Sequence, residues 1–147
     1  MDLNIQMANP ADESFIANNL HLSVPQEHKH MSLEHLQELN QNIRDLGGHY
    51  LVAKKGEEIV GWIFIGKNLD YFDNKEYGYI YDLLVVPKHR GNQIGSALMK
   101  EAITYFRSKG YNEVRLNVFA SNSAKQLYEK LGFQARQTIM SLPLEDS

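Results

Sequence analysis

Arg90, Gly91, Asn92, Gln93, Ile94, Gly95 and Ser96 combine a fixed cation, two glycines and small polar groups in one run. The run lies between an apolar stretch that stops at Pro87 and a long helical pattern. The first turn of a helix has backbone N–H groups without intrahelical partners, and the helix dipole makes that end positive. A phosphate placed there gains several hydrogen bonds. Gly91 and Gly95 remove side chains where a ligand must approach the backbone. Arg90 adds a charged donor, with Lys88 and His89 adjacent. The segment is shaped for a pyrophosphate. Such a turn by itself also serves a nucleotide, a coenzyme or only the chain's change of direction. It lacks the Gly-Lys-Ser/Thr ending of a P-loop, and its mid-chain place after an antiparallel hairpin does not fit a Rossmann turn.

Other reactive side chains carry weaker signals. The chain has no cysteine, so disulfides, a thiolate metal site and a cysteine nucleophile are excluded. His21, His28, His30 and His35 crowd the first third, with Glu27 and Glu34 nearby. Two of these histidines fall in an expected loop, so they read as solvated groups, and no metal site is expected. Asp70, Asp73 and Glu76, with Tyr71, Phe72 and Tyr77, form an acidic and aromatic loop. That composition suits a cationic ligand, and equally a solvated loop with its rings folded onto the core. Trp62 reads as core.

The elements that must position these residues follow from periodicity. Alternation predicts a strand over 3–7. Pro10 opens a helix, and Ser32 caps a second one with Leu33, Leu36, Leu39 and Ile43 at helical spacing. Gly47 and Gly48 end it. Strands over 49–54 and 59–65 form a hairpin around a turn at 55–57. A buried strand over 79–86 stops at Pro87. A long helix runs to 109, then come a strand over 113–118, a short helix over 123–131 and a last strand over 134–142. This is an α/β (α+β) chain with an antiparallel hairpin leading into a strand–helix–strand unit.

The 147 residues fit a single domain, 1–147. A net charge of -3 argues against a protein that coats nucleic acid or an anionic membrane. No apolar run approaches the length of a membrane span, and the first residues do not read as a signal peptide. A cytoplasmic location is expected.

The stretch from Asp82 through Leu83, Leu84 and Val85 to Leu98 resembles the acetyl-CoA motif of the GCN5-related N-acetyltransferases (GNAT). That motif reads Arg or Gln, two residues, Gly, one residue, then Gly or Ala. Arg90 and Gly95 match its ends, and Gln93 stands where the middle glycine is usual. A second segment, with Asn122, Leu127, Tyr128, Gly132 and Phe133, resembles the family's late helix. Its loop is one residue short, so Ser121 or Asn122 takes the place of the family's asparagine.

The resemblance implies the GNAT fold, a mixed and mostly antiparallel sheet flanked by helices. In that fold the strands before the motif and after the long helix part like a V. The coenzyme arm lies in the gap and pairs with backbone groups, here those of Leu83, Leu84 and Val85. A backbone N–H at the bulge then supports charge on the thioester oxygen. Acetyl-CoA is the acyl donor, with no metal, and transfer is direct to an amine. Tyr128 matches the tyrosine at the coenzyme sulfur; packing on the core is its plainer role. Asp82 is a base candidate acting through water, with Tyr79 and Tyr81 as others, and it could instead pair with Arg115. Asn117 sits where some relatives carry glutamate, and an amide takes no proton. The acceptor is left open among a small amine, an aminoglycoside or polyamine, and a protein N-terminus or lysine. A homodimer is also left open. The rival readings are an acyl-CoA-binding module without transfer and, more weakly, a nucleotide-binding domain.

Overall fold

Five strands form one sheet in the order β1-β2-β3-β4-β5. They are β1 (Leu3–Met7), β2 (His49–Lys55), β3 (Glu58–Leu69), β4 (Glu76–Val85) and β5 (Val114–Leu116). The structure is a computed structural model describing residues 2–25, 28–120 and 122–145. Pairing is antiparallel from β1 through β4 and parallel between β4 and β5. Helices α1 (Pro10–Ala17), α2 (Leu33–Asp45) and α3 (Ile94–Ser108) complete the unit Met1–Asn117. A second unit, Val118–Ser147, contains α4 (Ala124–Lys130). The mixed, mostly antiparallel sheet with flanking helices is the expected architecture.

Local chemistry starts the helices where the sequence places them. Asn9 and Asp12 form a reciprocal capping box, and Pro10 occupies the first turn of α1. The Ser32 hydroxyl accepts from the His35 N–H at 3.1 Å and opens α2. Lys54 reaches Asp12 at 2.8 Å and Arg44 reaches Glu13 at 2.6 Å, which ties α1 to β2 and to α2.

Strand alternation divides the core between two faces. On one, Tyr50, Val52, Trp62, Phe64 and Leu84 pack with Ile16 and Leu20. Trp62 is fully buried, as its reading as core required, and meets Phe15 edge-on at 6.3 Å. Each large side chain buried this way contributes roughly 1.5–3 kcal/mol. On the other face, α3 lies against β3 and β4. A Cβ at Gly78 would come within 2.5 Å of the Phe106 ring, so glycine is what lets α3 approach β4 so closely.

Three sequence expectations change. Residues 134–142, expected as a last strand, form no strand. The strand expected over 113–118 shortens to β5, whose ladder with β4 ends at Ile80↔Leu116. The segment expected as a plain loop after α1 contains a 3₁₀ turn, Leu20–Ser23, held by buried Leu20. No described helix is long and apolar enough to cross a membrane.

Candidate active site

The site starts from a fault in the β3–β4 ladder. Phe64 pairs with Asp82 and Ile65 with Ile80, so Tyr81 is an extra residue in β4. Such a bulge turns the strand and reverses which backbone groups face outward. Val86 N–H donates to Val60 carbonyl at 2.9 Å. Counting back by alternation, Leu84 turns its backbone to β3, while the N–H groups of Leu83 and Val85 point to the opposite edge. Among the described residues no strand pairs with that edge beyond Ile80, while β4 continues to Val85, so the edge is open there. Leu84 was grouped with Leu83 and Val85 by the family's pattern. The structure places its side chain in the core at 5% exposure and its backbone in the β3 ladder.

At the end of the open edge the chain turns through a 3₁₀ segment, Pro87–His89, and enters α3. Gly91 has φ +87, a left-handed conformation that glycine adopts at little cost. Gln93 is the N-cap of α3 at φ 61 and ψ 21, also left-handed. This is the position where the family motif carries glycine, and the backbone still takes the glycine-like form. No side chain caps this helix end, and its first turn holds no acidic residue. The first-turn N–H groups of Ile94, Gly95 and Ser96 therefore lack the usual internal acceptors. The Arg90 Nε donates to the Val85 carbonyl at 3.2 Å, which stations this exposed cation between the open edge and the helix end. Asn92 donates to the His89 carbonyl at 3.3 Å and so braces the turn. Lys88 and His89 point elsewhere: both reach Glu58 at 3.0 Å.

Asp82 faces the α1–α2 side of the sheet. Its carboxylate accepts from the Ser23 hydroxyl at 2.7 Å. Burial pushes its pKa up to about 6, against the pull of Ser23, the nearby Trp62 indole and the Leu83 N–H. The Trp62 indole N–H is itself buried without a hydrogen-bond partner. Arg115 does not pair with Asp82. It binds Asp70 at 2.6 Å and Glu113 at 3.0 Å, and lies 3.9 Å over the Tyr77 ring. Asp82 also borders a cavity of about 270 Å³ between α2, the turn after α1 and the sheet. Burial raises Tyr79 and Tyr81 above the ordinary phenol range, which makes both weaker base candidates than Asp82 at neutral pH.

In the second unit, the Asn122 side-chain oxygen accepts from the Ala124 N–H at 2.8 Å, a turn at the entry to α4. Tyr128 is half-buried and meets Phe133 edge-on at 6.1 Å. Ser121 lies outside the described residues, as does Glu27. Among the described residues no group of three or more His, Asp or Glu side chains is placed to hold a metal ion. Sequence reasoning did not find Ser23, which orients the Asp82 carboxylate from 59 positions away. A lone serine before a proline-containing loop gave no signal for it.

An open strand edge leading to an uncapped helix end suits an extended ligand that ends in a phosphate group. Residues 15–133 match the Acetyltransferase (GNAT) family, and the chain belongs to that family. It is 32% identical over 99 residues to an uncharacterized N-acetyltransferase of Bacillus subtilis, covering 65% of this chain and 62% of that protein. It is 40% identical over 67 residues to a glucosamine 6-phosphate N-acetyltransferase of Trypanosoma brucei brucei, covering 46% and 44%. The chain thus spans less than two thirds of the length of these curated relatives. Among solved structures, a Trypanosoma brucei acetyltransferase superposes with a TM-score of 0.69 at 27% identity, covering 97% of this chain and 100% of that one.

Proposed function

We propose that this chain is an acetyl-CoA-dependent N-acetyltransferase that transfers acetyl to a primary amine by direct attack on the thioester. The observation that carries the reading is the junction at β4. One edge of the strand is open beside an uncapped helix end. Its other side presents a carboxylate with a pKa raised to about 6 over a cavity.

The residues present fit the donor. The N–H groups of Leu83 and Val85 bind an amide-bearing arm as an added strand would. The turn from Gly91 to Ser96 holds the pyrophosphate on backbone N–H groups, and Arg90 supplies the neutralising charge. Acetyl-CoA supplies a thioester carbon open to attack by a neutral amine. Asp82 takes the proton the amine must lose, directly or through one water. A base with a pKa near 6 is mostly ionised at neutral pH and still basic enough to accept a proton. Tyr128 gives a proton, or a hydrogen bond, to the departing thiolate. The phenol's ordinary pKa of about 10 against about 8.5 for a thiol makes the hydrogen bond the smaller demand. In the balance, the C–N bond forms, the C–S bond breaks, and the amine proton leaves through Asp82.

Thermal melts with CoA and with ATP, followed by release of free thiol from acetyl-CoA across a panel of amines, test the reading. Protection by CoA and amine-dependent thiol release are expected. Protection by ATP and not by CoA would sink it. Protection by CoA without turnover of any amine would leave a binding module.

A further inference from the structure

The turn that follows α1 brings a hydroxyl to the base. Leu20–Ser23 is one 3₁₀ turn, and it is braced from several sides. Leu20 is buried and joins the core with Tyr50, Trp62 and Phe64. The Asn19 side chain donates to the Phe15 carbonyl at 2.7 Å, and the Leu22 N–H donates to the Asn19 carbonyl at 3.1 Å. Gln37 of α2 donates to the Ala17 carbonyl at 2.8 Å, and Lys29 to the His21 carbonyl at 2.8 Å. Ser23 thus reaches Asp82 from a fixed segment, and its hydroxyl donates to Oδ2 at 2.7 Å.

An aspartate carboxyl turns easily about its last bond, because that torsion has only broad preferences. A donor on one oxygen stops the turning. It also favours the charged form, since a hydroxyl bonds more strongly to a carboxylate than to a neutral carboxyl. Burial opposes this and prevails, leaving the Asp82 pKa at about 6, and Ser23 is the largest of the groups that pull it back down. Without the hydroxyl the carboxyl would stay protonated to a higher pH and would be free to rotate.

The charged and titratable groups around Asp82, among the described residues, come from several elements. Burial and then the Asp82 charge push the Tyr50 phenol of β2 up, and its hydroxyl accepts from the Asn40 amide of α2. Arg44 of α2 is held by Glu13 at 2.6 Å. Tyr81, beside Asp82 on β4, donates to the Lys67 carbonyl at 3.2 Å. His28 borders the same cavity as Ser23 and Asp82. Of these, the imidazole is the type that changes charge near neutral pH, so a control must separate it from Asp82. Trp62 makes the separation measurable. It is the single tryptophan of the chain, it is fully buried, and its indole lowers the Asp82 carboxyl pKa.

We propose that Ser23 is a positioning residue for acyl transfer, its hydroxyl fixing the rotation of the Asp82 carboxylate and favouring the charged form that accepts the amine's proton. The proposal rests on the acetyl-transfer reading above.

The test has two readouts. Trp62 emission is followed against pH without substrates, because an indole emits differently beside a carboxylate and beside a neutral carboxyl. The parent is expected to show a transition at about pH 6 that His28→Gln keeps and Asp82→Asn loses. Ser23→Ala is expected to move it up by about one pH unit, and Ser23→Thr, which keeps the hydroxyl, to return it. The second readout is kcat/KM against pH at saturating acetyl-CoA, with an amine that the parent turns over. Ser23→Ala is expected to move the acid limb up by the same interval and to lower the plateau about three- to tenfold. Ser23→Thr is expected to restore both. An acid limb that Ser23→Ala leaves at the parent's pH overturns the proposal, whatever the emission does, and leaves acetyl transfer standing. A limb that moves in Ser23→Ala and equally in Ser23→Thr also overturns it, since the hydroxyl is then not the cause. If no amine releases thiol from acetyl-CoA in the parent, acetyl transfer is overturned and the proposal with it.

Discussion

Asp82 carries opposed demands, and they can be separated by pH. Its pKa rises from 3.8 to about 6 on folding. A raised carboxyl pKa means the folded chain binds the proton more tightly than the unfolded chain. The stability this gives is complete below pH 3.8 and is lost as pH climbs to about 6. Asp82→Asn removes the loss. The variant is expected to gain up to about 3 kcal/mol over the parent between pH 4 and pH 7, read from urea denaturation at both values. Its kcat is expected to fall by about 10²-fold or more. The parent's kcat/KM should rise through pH 6 with a limb that the variant lacks. Gln93 is the second residue under strain. A non-glycine side chain in the left-handed region costs roughly 1–2 kcal/mol, offset in part by the entropy glycine loses on folding. Gln93→Gly is therefore expected to be neutral or stabilising by up to about 1 kcal/mol in chemical denaturation, whereas Gln93→Val destabilises by more than that.

At the scale of elements, α3 serves both stability and binding through one end. An acid in the first turn normally stabilises a helix by about 0.3–1 kcal/mol. The same charge repels a pyrophosphate. Ser96→Asp is expected to raise the melting temperature slightly and to weaken CoA at least tenfold, read by thermal melt and by titration. A variant with unchanged CoA affinity would remove the helix end from the site. The long β3–β4 hairpin is fixed at its tip by Asp70 and Arg115. Arg115 and the N–H groups of Phe72 and Asp73 hold the Asp70 carboxyl pKa down to about 2 from 3.8. A depressed carboxyl pKa contributes stability above the unfolded value that disappears as pH falls to the folded one. Asp70→Asn should flatten the fall in stability between pH 4 and pH 2 seen by circular dichroism. A parent-like acid transition in that variant would show that the contact does not couple to folding.

For the molecule as a whole, the sheet is complete on one side and deliberately short on the other. Antiparallel ladders run from β1 to β4, but the parallel ladder to β5 stops after Ile80. An unpaired edge beside a buried strand is a weak point that a bound ligand strengthens. Saturating CoA, at about 100 times its Kd, is expected to add about 2.7 kcal/mol to stability. It should also slow hydrogen exchange at Leu83 and Val85 but not at Leu84, whose N–H already faces β3. Equal protection of all three would contradict the bulge-shifted register.

Much of this was legible in the chain. Capping residues at Asn9 and Ser32, the period of α3, and the run from Arg90 to Ser96 are local signals, and local signals survive without a fold. Family membership was legible for the same reason, since its motifs are contiguous. Other features required distant partners. The identity of Gln93 was plain, but its left-handed backbone was not, because side-chain type does not fix φ against a favourable turn. The bulge at Tyr81 and the early end of β5 depend on which neighbours arrive to bond. Asp82 is an ordinary aspartate in sequence. Tertiary packing alone buries it, sets Ser23 against it and opens a cavity at its side, because desolvation is a property of surroundings and not of residue order.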